Sequence, residues 1–322
     1  MSQVPGVLYF SQPFPGAPLE RLEPHGHVVV GTKGIYSPSF AEHAPNIIAL
    51  MTVMGDRIDA ALLEQLPRLR VVANIAVGYD NIDVAACKAR GVMATNTSDA
   101  PALATADITL GLILAVARRM VEADRFVRAG KWSEWTPTLM MGKCVHELVL
   151  GIVGFGRIGR AVAARARGFG MRVLYTQRTR LSREEEVRLG VEFRPFDLLL
   201  REAECVTVHA PLGPETRGLF GAPEFAQMQK GAFFINTSRV GLVDEDALVE
   251  ALAAGHLGGA GLDVFANEPS VPEALMSMPN VVLCPHIGSA DDRTRARMAT
   301  RSIDNAIRVI SGLAPLDPLW NP

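Results

Sequence analysis

The sequence predicts an α/β protein built from two doubly wound parallel sheets, and three observations carry that expectation. Apolar runs of strand length alternate with helix-forming runs along most of the 322 residues, which is the pattern of a parallel sheet with helices on its faces. One apolar run, 148–153, leads directly into Gly154-Phe155-Gly156-Arg157-Ile158-Gly159 and then a helical run. A chain of this length also divides naturally into two domains, each able to bury its own core.

In order along the chain, strands are expected at 27–30, 47–53, 70–76 and 92–95. Helices are expected at 58–66 and 84–90, the second capped by Asp83 and closed by Gly91. After a polar break at 96–99, Pro101 suits the first turn of a helix, and the helical pattern runs to about Gly130. Its middle, 108–117, is apolar all round and is expected to lie buried between domains. Trp132 and Trp135 follow in a loop. In the glycine-led helix Ile158, Val162 and Ala166 share one face, and Gly168 and Gly170 end it. Further strands are expected at 171–176, 205–209, 232–236, 259–263 and 281–284, with a helix at 244–254 between Asp244 as cap and Gly255 as stop. Beyond Ser289 a last helix carries Met298, Ile303, Ala306, Ile307 and Ile310 on one side and is expected to return to the first domain. The domains are therefore set at 1–100 with 288–322, and 101–287, both Rossmann-like.

Composition narrows the function classes. A hydrophobic content of 48%, 20% charged residues and a net charge of −2 with no basic block speak against nucleic acid and anionic membrane as partners. The apolar stretch 108–117 is too short to span a bilayer, and residues 1–14 lack the basic start of a signal peptide. Cys87, Cys144, Cys205 and Cys284 are widely spaced, form no metal-type pair and read as reduced cytoplasmic thiols.

In Gly154-x-Gly156-x-x-Gly159 the first glycine permits the turn, the second lets backbone approach a pyrophosphate, and the third lets the helix pack closely on the strand. The helix N-terminus offers unpaired N–H groups to the phosphates. An NAD site usually has Asp or Glu at the end of the second strand, on the ribose hydroxyls. Here that place holds Gln177, followed by Arg178, Thr179 and Arg180. The missing acid and the two guanidinium groups favour NADPH, with NADH possible but weaker.

The segment from Gly259 reads G-A-G-L-D-V-F-A-N-E-P, followed after a spacer by N-V-V-L-C-P-H-I-G-S-A; upstream stand I-N-T-S-R-V-G-L-V-D and V-G-Y-D-N-I-D. Together with G-F-G-R-I-G these resemble the D-isomer-specific 2-hydroxyacid dehydrogenases, within them most of all the glyoxylate/hydroxypyruvate reductases. The resemblance runs from about Ile47 to the last helix. It implies a homodimeric enzyme that reduces small 2-keto acids to 2-hydroxy acids, with its active site in the cleft between the domains. It assigns Arg239 to the substrate carboxylate and keto oxygen, His286 to general acid/base work and Glu268 as that histidine's partner. Reduction of a keto acid needs a hydride at carbon and a proton at oxygen. A carboxylate that orients the imidazole and favours its charged form meets that need, as does an arginine that polarises the carbonyl without giving up its proton.

The resemblance further places Val77, Gly78, Met54 and Gly55 at the substrate carboxylate. Trp135 matches either a residue reaching into the partner subunit's pocket or one buried at a dimer contact. On the cofactor side it implies Thr105, His209, Pro211, Thr216, Thr237, Ser238, Asp263 and Ser289, with Pro211 at the adenine and Asp263 at the nicotinamide amide; Thr105 could instead be a helix residue facing a neighbour, and Pro211 and Asp263 turn formers. No metal is implied. The family usually has glycine directly after the catalytic arginine, whereas this chain has Val240. If the loop required positive φ there, valine would be strained. A 2-ketogluconate-type reductase would use the same trio, and a phosphoglycerate dehydrogenase is disfavoured by the 177–180 loop. A nucleotide-sensing regulator on this fold is disfavoured by the intact Arg239, Glu268 and His286.

Overall fold

The computed structural model describes residues 6–320. By backbone contacts the chain forms two compact units, Met1–Pro101 with Ala290–Pro322, and Ala102–Ser289.

The first unit holds five strands, β1 (Val7–Phe10), β2 (His27–Val30), β3 (Ile47–Thr52), β4 (Val71–Asn74) and β5 (Met93–Thr95). They pair in parallel in the order β2-β1-β3-β4-β5, one of the two common doubly wound orders. Both faces are covered, so side chains alternate between two cores. Val7 and Tyr9 join Leu50 and Val72 on one side. Leu8 and Phe10 join Met51 and Ala73 on the other, where the last helix, Asp292–Ile310, delivers Met298, Ile303 and Ala306. That helix is further tied to the sheet by Ser302 Oγ, which donates to the Ala73 carbonyl at 2.9 Å. The expected strands are present within a residue or two of their bounds. β1 was not expected: four residues between prolines carry too little periodicity to read, yet all four are buried inside the sheet between β2 and β3.

The second unit holds β6 (Val149–Val153), β7 (Arg172–Thr176), β8 (Glu192–Phe193), β9 (Cys205–Val208), β10 (Phe233–Asn236), β11 (Gly259–Leu262) and β12 (Val281–Leu283). All pair in parallel in the order β12-β11-β10-β9-β6-β7-β8. Strand order reverses between β6 and β9, which makes the space past their carboxyl ends the topological switch point where ligands bind in such sheets. β8 was not expected; helices are expected between the strands, but the sequence reading sets no bounds for Arg183–Leu189 and Phe196–Glu202.

The run expected to be one helix to Gly130 is two, Ala102–Ala117 and Met120–Arg128. Arg119 breaks it with φ 52°, its guanidinium bonded to both oxygens of Glu122 at 2.9 and 2.6 Å. The apolar part packs within the second unit, its Leu112 and Val116 side chains set against the backbone at Gly261 and Gly259 of β11.

Candidate active site

The glycine turn is built as its spacing predicts. Gly154 has φ 91°, and a Cβ there would collide with the backbone of His209 and Ala210 at the end of β9. At Gly159 it would collide with the Gly154 carbonyl and stand 3.2 Å from Ile152 Cγ2. At Gly156 a Cβ would meet nothing within 4 Å: that glycine keeps open space in front of a helix N-terminus. Gly156 is the extended N-cap of Arg157–Gly168 and brings no side chain to satisfy the first N–H groups. The site therefore fits a phosphate-bearing cofactor. Phe155 and Ile158 turn inward, Phe155 buried with its ring centroid 4.5 Å from that of Tyr175, so that of the turn's side chains only that of Arg157 is exposed beside the backbone.

At the end of β7 the four loop residues divide into two roles. Gln177 donates to the Thr179 carbonyl at 2.6 Å. The Arg178 side chain is 91% exposed and lies 4.0 Å from Glu215. Arg180 is committed elsewhere: it donates to both oxygens of Glu186 at 2.7 and 2.9 Å. Glu186 is buried, accepts a third bond from the Tyr175 hydroxyl at 2.9 Å, and is held below the usual carboxylate range chiefly by Arg180. Tyr175 Oη in turn accepts from Leu181 N at 2.9 Å, which anchors the loop's far end. One guanidinium, that of Arg178, is left facing solvent at this place.

Beside the turn, His209 N donates to the Val153 carbonyl at 2.7 Å, and His209 Nε2 pairs with Thr207 Oγ1 at 3.0 Å. Burial pushes this imidazole down to about 3, and Nδ1 has no partner among the described residues. Thr216 Oγ1 donates to the Pro211 carbonyl at 2.6 Å. Ser238 Oγ donates to the Val208 carbonyl at 2.5 Å, and Thr237 pairs with Thr109, which donates to the Thr105 carbonyl.

Glu268 and His286 are brought together. Glu268 Oε1 accepts from Phe265 N at 3.0 Å, and Oε2 meets His286 Nδ1 at 2.9 Å. This bond places a proton on Nδ1 and leaves Nε2 as the nitrogen free to exchange one. His286 holds φ 53°, uncommon for a side-chain-bearing residue. The next two residues explain how it is kept there: Ile287 N and Gly288 N donate to Asp263 Oδ1 and Oδ2 at 2.7 and 2.8 Å. Asp263 is buried, and burial raises its carboxyl above the ordinary range. Both its oxygens thus brace the histidine loop, a use the sequence did not disclose.

Arg239 leaves the neighbouring strand β10 in extended conformation and donates from Nη1 to the Ser238 carbonyl at 2.7 Å. Its own carbonyl accepts from Asn236 Nδ2 at 3.1 Å. Val240 opens the 3-10 turn Val240–Leu242 and is not among the positive-φ residues, so valine in place of glycine is unstrained. All three side chains follow strand carboxyl ends, those of β10, β11 and β12.

In the first unit, Met54 and Gly55 form the turn after β3, Met54 being 38% exposed, and Val77 and Gly78 follow β4. The N–H groups of Val77 and Gly78 donate to nothing among the described residues. Trp135 is 73% exposed in its loop. Cys144, His146 and Glu147 cluster on the surface, but Cys144 Sγ lies 3.3 and 3.4 Å from the two ring nitrogens. Sulfur equidistant from both sits over the ring and along neither lone pair, which is not a ligating geometry.

A family model described as D-isomer specific 2-hydroxyacid dehydrogenase, NAD binding domain, matches residues 110–288. The glyoxylate reductase of Thermococcus litoralis is 46% identical over 278 residues, 85% of this chain and 84% of that one. Among solved structures, a protein from Thermus thermophilus has a TM-score of 0.90 at 42% identity, covering 98% of this chain and 100% of its own. The NADPH-dependent glyoxylate/hydroxypyruvate reductase of Sinorhizobium meliloti, solved with NADP and malonate, has a TM-score of 0.83 at 31% identity, covering 98% and 96%.

Proposed function

Because the chain belongs to the D-isomer-specific 2-hydroxyacid dehydrogenases, we propose that it catalyses NADPH-dependent reduction of small 2-keto acids, glyoxylate and hydroxypyruvate foremost. The observation that carries this is the Glu268–His286 pair at 2.9 Å, set past the strand ends of the same sheet that presents the glycine turn.

A bound nicotinamide supplies the hydride in this chemistry. The chain's own residues have three tasks. Arg239, permanently charged, holds the substrate carboxylate and polarises the keto oxygen. His286 carries the proton on Nε2 and gives it up as the alkoxide develops; Glu268 keeps the ring in register. Backbone N–H groups at Val77 and Gly78 receive the carboxylate's other oxygen.

The preference for NADPH rests on Gln177, where a carboxylate would repel a 2′-phosphate, and on Arg178, which is exposed and held only distantly by Glu215. The Sinorhizobium relative's recorded dependence on NADPH supports the same reading. We further take the enzyme to be a cytoplasmic homodimer, with exposed Trp135 as its mark of a partner-facing loop. Initial rates with a panel of 2-keto acids, each with NADH and with NADPH, test the reading. Turnover of glyoxylate or hydroxypyruvate, faster with NADPH, is expected; failure with every keto acid tried would refute it.

A further inference from the structure

We propose that Asn74 and Asn96 are positioning residues that turn three consecutive backbone N–H groups, those of Val77, Gly78 and Tyr79, outward as a receptor for the substrate carboxylate. The proposal rests on the keto-acid reading above. In a trans peptide the carbonyl and the following N–H point in opposite directions, so whatever holds a carbonyl also aims the next residue's N–H. Three carbonyls in a row are held here. That of Ala76 accepts from Thr97 N at 2.9 Å, that of Val77 from Asn96 Nδ2 at 2.7 Å, and that of Gly78 from Asn74 Nδ2 at 3.0 Å. The three holders sit at the carboxyl ends of β4 and β5, so the carbonyls are drawn toward their own sheet and the N–H groups face away from it. None of the three N–H groups donates to a protein atom among the described residues. Unpartnered backbone donors in succession favour an acceptor with negative charge and more than one oxygen, as a carboxylate has.

The two amides are themselves fixed. Asn74 is fully buried, and its Oδ1 accepts from Thr52 Oγ1 at 3.0 Å across the register pair Thr52–Asn74. The Asn96 Oδ1 accepts from Ser98 Oγ at 2.6 Å. Because the Gly78 and Val77 carbonyls can only accept, the amide nitrogens are the ends that face them. Asn81 extends the same network. It receives Asn74 Nδ2 at 3.3 Å and donates to the carbonyls of Val53 and Asp56 at 3.2 and 2.9 Å, which fixes the Met54-Gly55 turn on the same scaffold. An aspartate at 74 or 96 would keep the shape, lose the donor and set a carboxylate against a carbonyl.

The test is steady-state kinetics of Asn74→Asp, Asn96→Asp and Ser98→Ala with glyoxylate, alongside NADPH Kd, binding of the unreactive analogue oxamate to the NADPH-bound enzyme, and Tm. The glyoxylate KM and oxamate Kd should rise roughly tenfold in each Asn variant and about threefold in Ser98→Ala, while kcat and NADPH Kd stay near wild type. A merely structural role would lower Tm without this split. Folded variants whose KM and oxamate affinity match wild type would overturn the inference, as would loss of kcat at unchanged KM. If the Asn variants do not fold, Ser98→Ala decides alone. A wild type that reduces no keto acid would refute the functional reading instead; an active wild type with silent variants would refute only the role of the two asparagines.

Discussion

At the scale of single residues, the proposed chemistry turns on one nitrogen. Nδ1 of His286 is occupied by Glu268, which leaves Nε2 for the proposed proton exchange with substrate. His286→Asn should therefore leave NADPH Kd unchanged and lower keto-acid turnover by about 10²-fold or more, the scale of a lost general acid; near-normal turnover would remove His286 from the mechanism. On the proposed reading, the preference for NADPH rests on Arg178 in the same isolated way. Arg178→Ala should weaken NADPH by roughly one to two factors of ten while leaving NADH almost untouched. Equal weakening of both would mean that this arginine serves the adenine or the fold. The pairing of Glu268 with His286 was legible because a strand end and a motif coincided on them. The work of Asp263 on Ile287 and Gly288, and of Asn236 on Arg239, was not. These contacts run from side chain to backbone, and no spacing rule in a sequence marks which N–H or carbonyl a carboxylate or amide will find.

At the scale of elements, legibility followed length and apolar content. Most strands of both sheets were readable, as were helices bracketed by Asp83 and Gly91 or by Asp244 and Gly255. β1, although all four of its residues are apolar, was not, because it stands alone between prolines with no helical run leading into it. The helix Arg183–Leu189 reads R-E-E-E-V-R-L and exposes most of its length; with no apolar stripe it gave no period to detect. The break at Arg119 carried neither glycine nor proline, and it is held by Glu122, three residues on. The end of β9 makes a testable statement of its own. Burial holds His209 near a pKa of about 3, below the roughly 6.5 of an unfolded histidine. Between those values the unfolded chain binds a proton that the folded chain refuses. The resulting stability is complete above about pH 6.5 and is lost as pH falls toward 3, at up to about 1.4 kcal/mol per pH unit. Urea unfolding of wild type and His209→Asn at pH 7, 5.5 and 4.5 should show the wild type losing more on acidification; parallel losses would mean that His209 is not refused its proton in the folded state.

At the scale of the whole molecule, the two sheets divide the labour. The glycine turn, the 177–180 loop, Arg239, Glu268 and His286 all belong to Ala102–Ser289, whereas the unpartnered N–H groups at 77–79 belong to the other unit. Cofactor and substrate should therefore leave separate footprints in amide hydrogen exchange. In the free enzyme the N–H groups of Val77, Gly78 and Tyr79, lacking acceptors, exchange at nearly unprotected rates. NADPH alone should slow exchange across Gly154 to Gly159 and the first turn of Arg157–Gly168 while leaving 77–79 fast. Oxamate added to the NADPH-bound enzyme should then slow 77–79, because a carboxylate oxygen replaces water as the acceptor, and it should slow Ile287 and Gly288 little, since Asp263 already holds those N–H groups. Protection at 77–79 by NADPH alone would assign that loop to the cofactor. Oxamate that binds without slowing 77–79 would leave the first unit with no part in recognising the substrate, and the carboxylate would fall to Arg239 alone.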